Sequence, residues 1–365
     1  MRRASETYFN DLSDGLPDHL LDLDDLELLG ELQRPTLIRV AGTGDAPPRG
    51  VACLLHGDED TGYRAALRIL RQRRRYPFDL FVVIGNVRAA LADGGFRARY
   101  LDDQEDFNRV WGREPTTRLR LAANGILDVL RRAKISAMVD VHNNSGTNPF
   151  YAIVTQVREA QLNLATTFTT MLLHWELGVG TLMEALDDVC PAIAVESGLP
   201  GQEASLSFAV DGLRRYLGTA TIRDDVVERD YDLLDDLRKV MVRPEVRFRF
   251  GGELGDDVDF VVEQDADAHN FRTVPAGHLL GRVPPGSANP LLVCGPGGED
   301  ATASHVQVQD GRVVLTREAT PVMMTRTEEA ARKDCLLYLA TRPRSAGAAT
   351  AARVDTEPAS PDIRG

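Results

Sequence analysis

The order of apolar segments constrains the fold of this chain more than any other feature. Over the first two-thirds, runs rich in β-branched residues alternate with segments of helical periodicity. The expected strands are residues 36–42, 50–55, 79–84, 136–141, 150–155 and 189–195, and the expected helices are 61–74, 116–133, 157–173 and 203–217. Near-continuous apolar strands between helices favour a sheet that is covered on both faces. We therefore predict an α/β fold with a mixed, largely parallel sheet flanked by helices, whose functional residues follow the carboxyl ends of strands.

The pattern changes after about residue 220. A charged segment at 224–240 has helical character, and short strand-like runs follow at 246–250, 259–264, 278–283 and 305–315. Asp310-Gly311, between two alternating runs, predicts a hairpin. The predicted division is an N-terminal extension (1–34), a main α/β domain (35–225), a smaller β-rich C-terminal domain (240–342) and a tail (343–365). The content of Ala, Pro and charge in the tail favours disorder.

Charge and hydropathy limit the partners of the chain. The sequence has 55 acidic and 42 basic residues, a formal net charge of −13, whereas binding to phosphates needs clustered Lys and Arg. We therefore expect no nucleic acid partner. No apolar run approaches the ~18 residues that cross a bilayer, and the N-terminus lacks the apolar run of a secretory signal. We expect no membrane partner and a cytoplasmic location, and a homo-oligomer is compatible with the sequence.

Candidate metal ligands follow two of the expected strands. The four cysteines include no CxxC pair, so a metal would be held by His and carboxylates. His56 and Glu59 lie on one short turn and His142 follows a distant strand, and together they match the three protein ligands of a catalytic zinc. Either Asp140 or Asn143 can orient an imidazole. The alternative interpretation is that these residues are polar caps of loops.

A third strand end and one loop supply the other candidates. Glu196 directly follows an apolar strand and is suited to take a proton from water and return it to a leaving amine. In the polar loop 95–112, Arg109 offers a planar fork for a carboxylate, with Asn108 as a donor beside it. Arg99 can stabilise charge on a carbonyl oxygen. Ordinary salt bridges within this loop are the alternative.

Five motifs, taken in order, carry a resemblance to a known family. They are HGDE at 56–59, RYLD at 99–102, FNRVW at 107–111, DVHNN at 140–144 and AVESG at 194–198. As a set they resemble the aspartoacylase/succinylglutamate desuccinylase family, whose members are relatives of the zinc carboxypeptidases. The resemblance covers about residues 35–220, and the small domain that these proteins append fits the β-rich C-terminal region.

The resemblance implies a zinc carboxypeptidase-like fold and one Zn²⁺ per chain. It implies that His56, Glu59 and His142 ligate the metal, and that Glu196 is the catalytic carboxylate. One departure lies beside these residues, because Asp58 stands where the motif of this family commonly has Asn. This substitution adds negative charge near the expected metal.

The resemblance also assigns roles around the substrate. Arg99 would support the carbonyl oxygen, while Asn108 and Arg109 would hold a substrate carboxylate, and Asn143 is a further candidate contact. The separation between RYLD and FNR is longer than in aspartoacylase, so Arg97 is an alternative to Arg99. The residues that select the acyl group cannot be transferred from the family.

The expected function is the hydrolysis of the linear, non-peptide amide bond of a small anionic N-acyl amino acid by a zinc-dependent enzyme. One alternative is a carboxypeptidase-type metallopeptidase, because the same residues would serve a peptide C-terminus. Another is a non-catalytic ligand-binding relative that keeps the fold. The set of three ligands with Glu196 and Arg99 argues against the last, since a binding protein has no need for a general base.

Overall fold

The computed structural model describes residues 8–176, 178–226, 229–340 and 344–345. Its strands are β1 (Asn10–Leu12), β2 (Thr36–Val40), β3 (Ala46–Cys53), β4 (Phe78–Ile84), β5 (Ala137–His142), β6 (Tyr151–Val154), β7 (Met171–His174), β8 (Ala192–Glu196), β9 (Asp232–Leu234), β10 (Arg238–Val242), β11 (Phe248–Phe250), β12 (Phe260–Val262), β13 (Leu279–Arg282), β14 (Leu291–Cys294), β15 (Val306–Gln309), β16 (Arg312–Leu315), β17 (Thr320–Val322), β18 (Leu337–Ala340) and β19 (Arg344–Ser345). Its α-helices are α1 (Asp18–Leu21), α2 (Asp25–Leu32), α3 (Asp60–Arg71), α4 (Val87–Leu91), α5 (Arg118–Ala133), α6 (Glu159–Thr166), α7 (Leu182–Ala185), α8 (Glu203–Gly218), α9 (Thr302–His305) and α10 (Glu328–Lys333). Among the helices of the described residues, none has both the length and the apolar character to cross a membrane.

A large sheet forms the centre of the molecule. Its strand order is β1-β2-β4-β3-β5-β8-β6-β7-β9-β19. Neighbours in the middle, β4-β3, β3-β5 and β5-β8, are parallel, whereas β2-β4, β6-β8 and β9-β19 are antiparallel. The prediction of a mixed, largely parallel sheet is confirmed. Because β3, β5 and β8 are adjacent and parallel, their carboxyl ends lie side by side at one edge.

Both faces of the large sheet are covered by apolar layers. Alternate side chains of β5 go to opposite faces, so Val139 and Val141 pack on one side and Met138 on the other. The first face packs against α2, α3, α6 and α8. The second face packs against α5, α7 and residues of β18. The prediction of a sheet covered on both sides is therefore confirmed.

The C-terminal region forms two further sheets around a core of its own. Their strand orders are β14-β10-β18-β17 and β11-β12-β13-β16-β15. The predicted hairpin is confirmed: β15 and β16 pair antiparallel, and Asp310 (φ 50°) and Gly311 (φ 74°) have the left-handed backbone of a tight two-residue turn. Tyr338 of β18 packs against Trp175, with 5.4 Å between ring centroids. The first of these sheets thus lies against the second face of the large sheet.

The predicted domain boundaries stay a prediction. β1, from the predicted extension 1–34, pairs with β2 in the large sheet. β9, between the predicted domains 35–225 and 240–342, pairs with β7 in the same sheet. The predicted tail 343–365 lies outside the described residues except for Arg344–Ser345, which pair with β9.

Two segments predicted to be helical contain strands instead. Within the predicted helix 157–173, the observed helix α6 ends at Thr166, and the chain then forms β7 from Met171. In the predicted charged helix 224–240, the described residues form β9 and the start of β10. In β7 the consecutive residues Leu172 and Leu173 pack on opposite faces of the sheet, and the two leucines of β9 do the same. Successive side chains that point to opposite faces require an extended strand, so the helical predictions were wrong there.

Close packing of α3 on β5 gives a stability prediction. A Cβ at Gly62 would lie 2.6 Å from the carbonyl oxygen of Val141, whereas a Cβ at Gly30 in α2 would have nothing within 4 Å. Gly62→Ala should lower the free energy of unfolding by about 1–3 kcal/mol because the helix must move away from the sheet. The matched change Gly30→Ala should raise it by about 0.4–1 kcal/mol. Denaturant unfolding measures both, and equal effects would contradict the packing described.

Candidate metal centre and cleft

Three strand ends bring the predicted residues together at one edge of the large sheet. His56 follows β3, His142 ends β5 and Glu196 ends β8. β5 lies between the other two strands, and His142 and Glu196 are direct partners in the register of β5 and β8. All three side chains are buried. The expected proximity of these strand ends is therefore present.

The turn after β3 has a left-handed residue at its start and a close contact with α4. Leu54 has a left-handed φ of 58°, which turns the chain away from the strand. Gly57 packs so closely on α4 that a Cβ would lie 2.5 Å from the amide nitrogen of Ala90. The turn ends at Glu59, the residue directly before α3. It thereby places His56 Nδ1 2.7 Å from Glu59 Oε1.

Glu59 is the centre of the cluster. Its Oε1 lies 2.7 Å from His56 Nδ1, and its Oε2 lies 2.7 Å from His142 Nδ1. The backbone N–H of Asn143 donates to Oε2 at 3.1 Å. One ligand atom from each of His56, Glu59 and His142 lies within 4.8 Å of the other two. The three predicted ligands are thus close enough to share one ion.

An aspartate holds the far nitrogen of each imidazole. His56 Nε2 lies 3.0 Å from Asp106 Oδ1, and His142 Nε2 lies 2.7 Å from Asp140 Oδ2. Asp140 is two residues before His142 on β5, so both side chains leave the same face of the sheet. Of Asp140 and Asn143, it is therefore Asp140 that contacts the imidazole. The sequence analysis assigned Asp106 no role at the metal. Its position directly before the FNR motif at 107–109 could have indicated one.

The donor set fits a zinc ion. Each imidazole has a carboxylate oxygen within hydrogen-bond distance of both nitrogens, and carboxylates only accept hydrogen bonds, so these contacts favour protonation of both nitrogens. Burial lowers the pKa of His142, but Asp140 and Glu59 outweigh burial, and the pKa is raised well above its usual value. A cation among both Nδ1 atoms and Glu59 would take the place of two protons and leave the Nε2–H groups on their aspartates. Two imidazoles and one carboxylate are ligands typical of catalytic zinc.

Glu196 differs from the other acids of the cluster. No hydrogen bond joins its carboxyl group to another residue within the described part of the chain, although the side chain is buried and lines the cleft. Burial raises the pKa of Glu196 to about 8, Glu59 adds to this effect, and His142 opposes it. A carboxyl group with such a pKa can gain and lose a proton near neutral pH.

Two arginines of the loop before α5 differ in their surroundings. Arg99 Nη1 lies 3.4 Å from Glu59 Oε1, and Nη2 lies 3.3 Å from Asp106 Oδ2. Burial lowers the pKa of Arg99, but Asp106 and Glu59 outweigh burial, and the pKa is raised. Arg97 also lines the cleft but is exposed, and no ion pair or hydrogen bond joins it to another described residue. Arg99 is thus the arginine beside the cluster, and Arg97 lies at the mouth.

The two predicted asparagine contacts are engaged by the protein. Asn108 Oδ1 accepts from the backbone N–H of Leu182 at 3.1 Å. Asn143 Oδ1 accepts from the N–H of Thr61 at 3.1 Å, and its Nδ2 donates to Gly198 O at 2.8 Å. Asn108 thus contacts the start of α7, and Asn143 joins the start of α3 to the loop after β8. Their role as substrate contacts stays a prediction.

Arg109, the third predicted substrate contact, pairs with an acid from the C-terminal region. Its Nη2 lies 3.2 Å from Asp334 Oδ2. The other oxygen of Asp334 accepts from Lys239 Nζ at 2.9 Å. The sequence carries no signal of this pair, because Asp334 is 225 positions away from Arg109 and follows no motif. A role of Arg109 in binding substrate stays a prediction as well.

The cluster opens into a cavity of about 380 Å³. One side of it is polar and includes the cluster and its arginines. The other side is an apolar recess, which is lined by Ile153, Trp175, Met183, Ala194 and Tyr338. These five side chains come from β6, the 175–183 segment, β8 and β18, which are far apart in sequence. Sequence reasoning did not identify the recess for that reason.

Comparison with solved structures identifies the class of fold. A succinylglutamate desuccinylase from a Silicibacter species is 17% identical, with a TM-score of 0.53, and the match covers 84% of this chain and 88% of that chain. A succinylglutamate desuccinylase/aspartoacylase from Rhodobacter sphaeroides is 14% identical with the same TM-score, over 84% of this chain and 89% of that chain. The product-bound ectoine utilization protein EutE (DoeB) from Ruegeria pomeroyi is 16% identical, also at 0.53, over 84% and 88% of the two chains.

These similarities show that the chain has the α/β fold of the succinylglutamate desuccinylase/aspartoacylase proteins. They support the resemblance that the five motifs indicate. No protein-family profile matches the chain, and no curated protein matches it.

Proposed function

We propose that the chain is a zinc-dependent hydrolase that cleaves the linear amide bond of a small N-acyl amino acid. The observation that carries the proposal is the convergence of His56 Nδ1 and His142 Nδ1 on Glu59, with Glu196 as the next residue across the sheet. Ion pairing alone would explain the cluster, but it gives no role to Glu196, a buried residue that lines the cleft and whose pKa is raised to about 8. Two of the similar structures are described as desuccinylases, which accords with this reaction.

Each residue of the cluster has a chemical task in this proposal. His56, Glu59 and His142 hold one Zn²⁺. When bound there, the ion would acidify a water molecule and polarise a carbonyl oxygen. Glu196 takes a proton from the attacking water and later delivers it to the leaving nitrogen. Its raised pKa suits both transfers.

The residues around the cluster support these tasks. Asp106 and Asp140 keep the two imidazole rings in orientation through their far nitrogens. Arg99 places a fixed positive charge beside the cluster, which favours negative charge on the oxygen of the scissile amide. Asn108 and Arg109, which were predicted to contact substrate, would have to exchange the protein partners that they have here.

The shape of the cleft favours small amides over peptides. Residues of the C-terminal region, among them Lys333, Asp334 and Tyr338, line the cavity together with the residues of the large sheet. A carboxypeptidase-type activity would need an open groove for the rest of the peptide. A non-catalytic binding role is disfavoured because it gives no use for the unpartnered Glu196.

Metal analysis combined with amine release tests the proposal. We expect about one zinc per chain in the purified protein, since the cluster offers three protein ligands. Amine release from a panel of N-acetyl, N-succinyl and N-formyl amino acids should stop with a chelator and return with added Zn²⁺. Short peptides serve as the comparison set. Absence of both bound metal and amine release would contradict the proposal, and faster cleavage of the peptides would favour a peptidase.

A further inference from the structure

Backbone hydrogen bonds join the two chain segments that follow β5 and β8. The N–H of Ser197 donates to His142 O at 3.0 Å, and the N–H of Asn144 donates to Gly198 O at 2.9 Å. Gly198 has a left-handed φ of 79°, and a Cβ there would lie 2.9 Å from a carbon of a neighbouring aromatic ring, so the chain turns tightly at this point. The pairing of the two strands thus continues into the loops beyond them.

Asn143 connects this turn to the first residues of α3. Its backbone N–H donates to Glu59 Oε2 at 3.1 Å. Its side-chain Oδ1 accepts from the N–H of Thr61 at 3.1 Å, and its Nδ2 donates to Gly198 O at 2.8 Å. The residue is 5% exposed. One buried residue therefore contacts a proposed metal ligand, the helix that follows this ligand, and the turn that follows Glu196.

The two side-chain contacts of Asn143 require one orientation of its amide group. Oδ1 faces an N–H group and Nδ2 faces a carbonyl oxygen, so a rotated amide would place donor against donor and acceptor against acceptor. Thr61 is the second residue of α3, and the N–H groups of a first helical turn have no acceptor within the helix. Asn143 supplies the acceptor that Thr61 would otherwise lack there.

The position of the Glu196 side chain depends on these backbone contacts. Within the part of the chain that the structure describes, no hydrogen bond holds its carboxyl group, so the strand and the turn after it determine where the group lies. Asp60 makes a second connection between α3 and this turn, because its Oδ1 accepts from the N–H of Gly201 at 3.3 Å. Asn143 differs from Asp60 in that it also contacts Glu59.

We propose that Asn143 is a positioning residue that sets the separation between the metal ligand Glu59 and the carboxyl group of Glu196. This inference rests on the proposed amide hydrolysis, and it gives Asn143 a role other than the predicted contact with substrate. A misplacement of about 1 Å in a catalytic site can lower a rate by about 100-fold. Loss of the Asn143 side chain should therefore slow proton transfer by Glu196, while the three proposed ligands still bind zinc.

Kinetics of Asn143→Ala test the inference on the full-length protein at saturating zinc, with the best N-acyl amino acid of the panel. We expect kcat to fall by roughly 10–100-fold, the range for loss of a residue that supports a metal site, and KM to stay unchanged. A raised KM with normal kcat would overturn the inference and favour a contact with substrate.

Asn289→Ala is the matched control. Asn289 also bridges two backbone groups, since its Nδ2 donates to Val306 O at 3.1 Å and its Oδ1 accepts from the N–H of Leu291 at 3.1 Å. It lies in the C-terminal region and is not among the residues that line the cleft. This variant should keep a normal kcat. An equal loss of kcat in Asn143→Ala and Asn289→Ala would overturn the inference.

Hydrogen exchange of the metal-free protein gives a readout that does not depend on activity. In Asn143→Ala, the amide hydrogens of Thr61 and Ser197 should exchange roughly 2–10-fold faster, which corresponds to the loss of one hydrogen bond. Both should exchange at the normal rate in Asn289→Ala. Unchanged exchange at both positions in Asn143→Ala would overturn the inference and leave the proposed function intact. Absence of amine release by the unmodified protein would overturn the proposed function and the inference together.

Asn143→Asp separates the two side-chain hydrogen bonds, and it replaces Asn143→Ala if that variant fails to fold. One carboxylate oxygen can still accept from the N–H of Thr61, but the other cannot donate to Gly198 O. We expect normal exchange at Thr61, faster exchange at Ser197, and a kcat at least about 10-fold below that of the unmodified protein. Normal kcat together with normal exchange at both positions would contradict the positioning role.

Discussion

Replacement of Glu196 by Gln should lower kcat by roughly 10²–10⁴-fold, the range that general acid–base catalysis contributes. Glu196 is a buried residue that lines the cleft, its carboxyl group has no hydrogen-bond partner in the described chain, and it pairs with His142 across the sheet. Gln has the same shape but cannot carry a proton between water and the leaving nitrogen. Because Glu196 is not among the three proposed ligands, zinc content and thermal stability should remain close to those of the unmodified protein.

Two further variants make this result specific. Glu196→Asp keeps a carboxyl group but withdraws it by one methylene, so its kcat should lie between those of the unmodified protein and Glu196→Gln. Glu203→Gln removes an exposed acid at the start of α8 and should change nothing. Full turnover by Glu196→Gln on a good substrate would show that another group moves the proton.

Replacement of Glu59 by Gln should abolish stable zinc binding, and activity with it. Glu59 contacts both Nδ1 atoms and the backbone N–H of Asn143, and its charge balances the two imidazoles. A neutral amide is a weak ligand for zinc. Loss of a residue that only hydrogen-bonds a metal ligand lowers metal affinity roughly 10–100-fold. We expect the affinity for zinc to fall by more than this in Glu59→Gln, because Glu59 is itself a proposed ligand.

Zinc content after dialysis and the zinc-induced rise in Tm measure this effect. At a free zinc concentration of 100 Kd, binding should stabilise the unmodified protein by about 2.7 kcal/mol, and this gain should be lost in Glu59→Gln. Asp140→Asn provides the graded comparison, because it weakens only the orientation of His142 and should cost roughly 10–100-fold in affinity. Zinc binding of normal strength by Glu59→Gln would exclude the cluster as the metal site.

The central sheet could be predicted because its strands are near-continuous apolar runs. The expected strands 79–84 and 136–141 correspond to β4 and β5 within one residue at each end. β7 and β9 escaped prediction because each is only three or four residues long and joins a polar segment. For such short strands, hydrogen bonding to a neighbouring strand decides the structure, and a local pattern of residues does not encode it.

The part of the candidate site that lies at strand ends could be predicted from the sequence. His56, His142 and Glu196 each follow an apolar strand, and adjacent parallel strands bring such residues together. The surroundings of Arg109 could not be predicted in the same way. Its partner Asp334 reaches it through the packing of the C-terminal sheet, so whether Arg109 is free for a ligand depends on tertiary structure alone.

The direct pairing of His142 with Glu196 makes the site sensitive to strand alignment. A slip of β5 by one residue would turn His142 and Asp140 together towards the layer of helices α3 and α8, because side chains alternate along a strand. The ion-binding group would then be lost as a whole rather than weakened by degrees. The fraction of the protein that binds zinc during refolding should therefore measure the fraction in which the central strands are paired in the correct register.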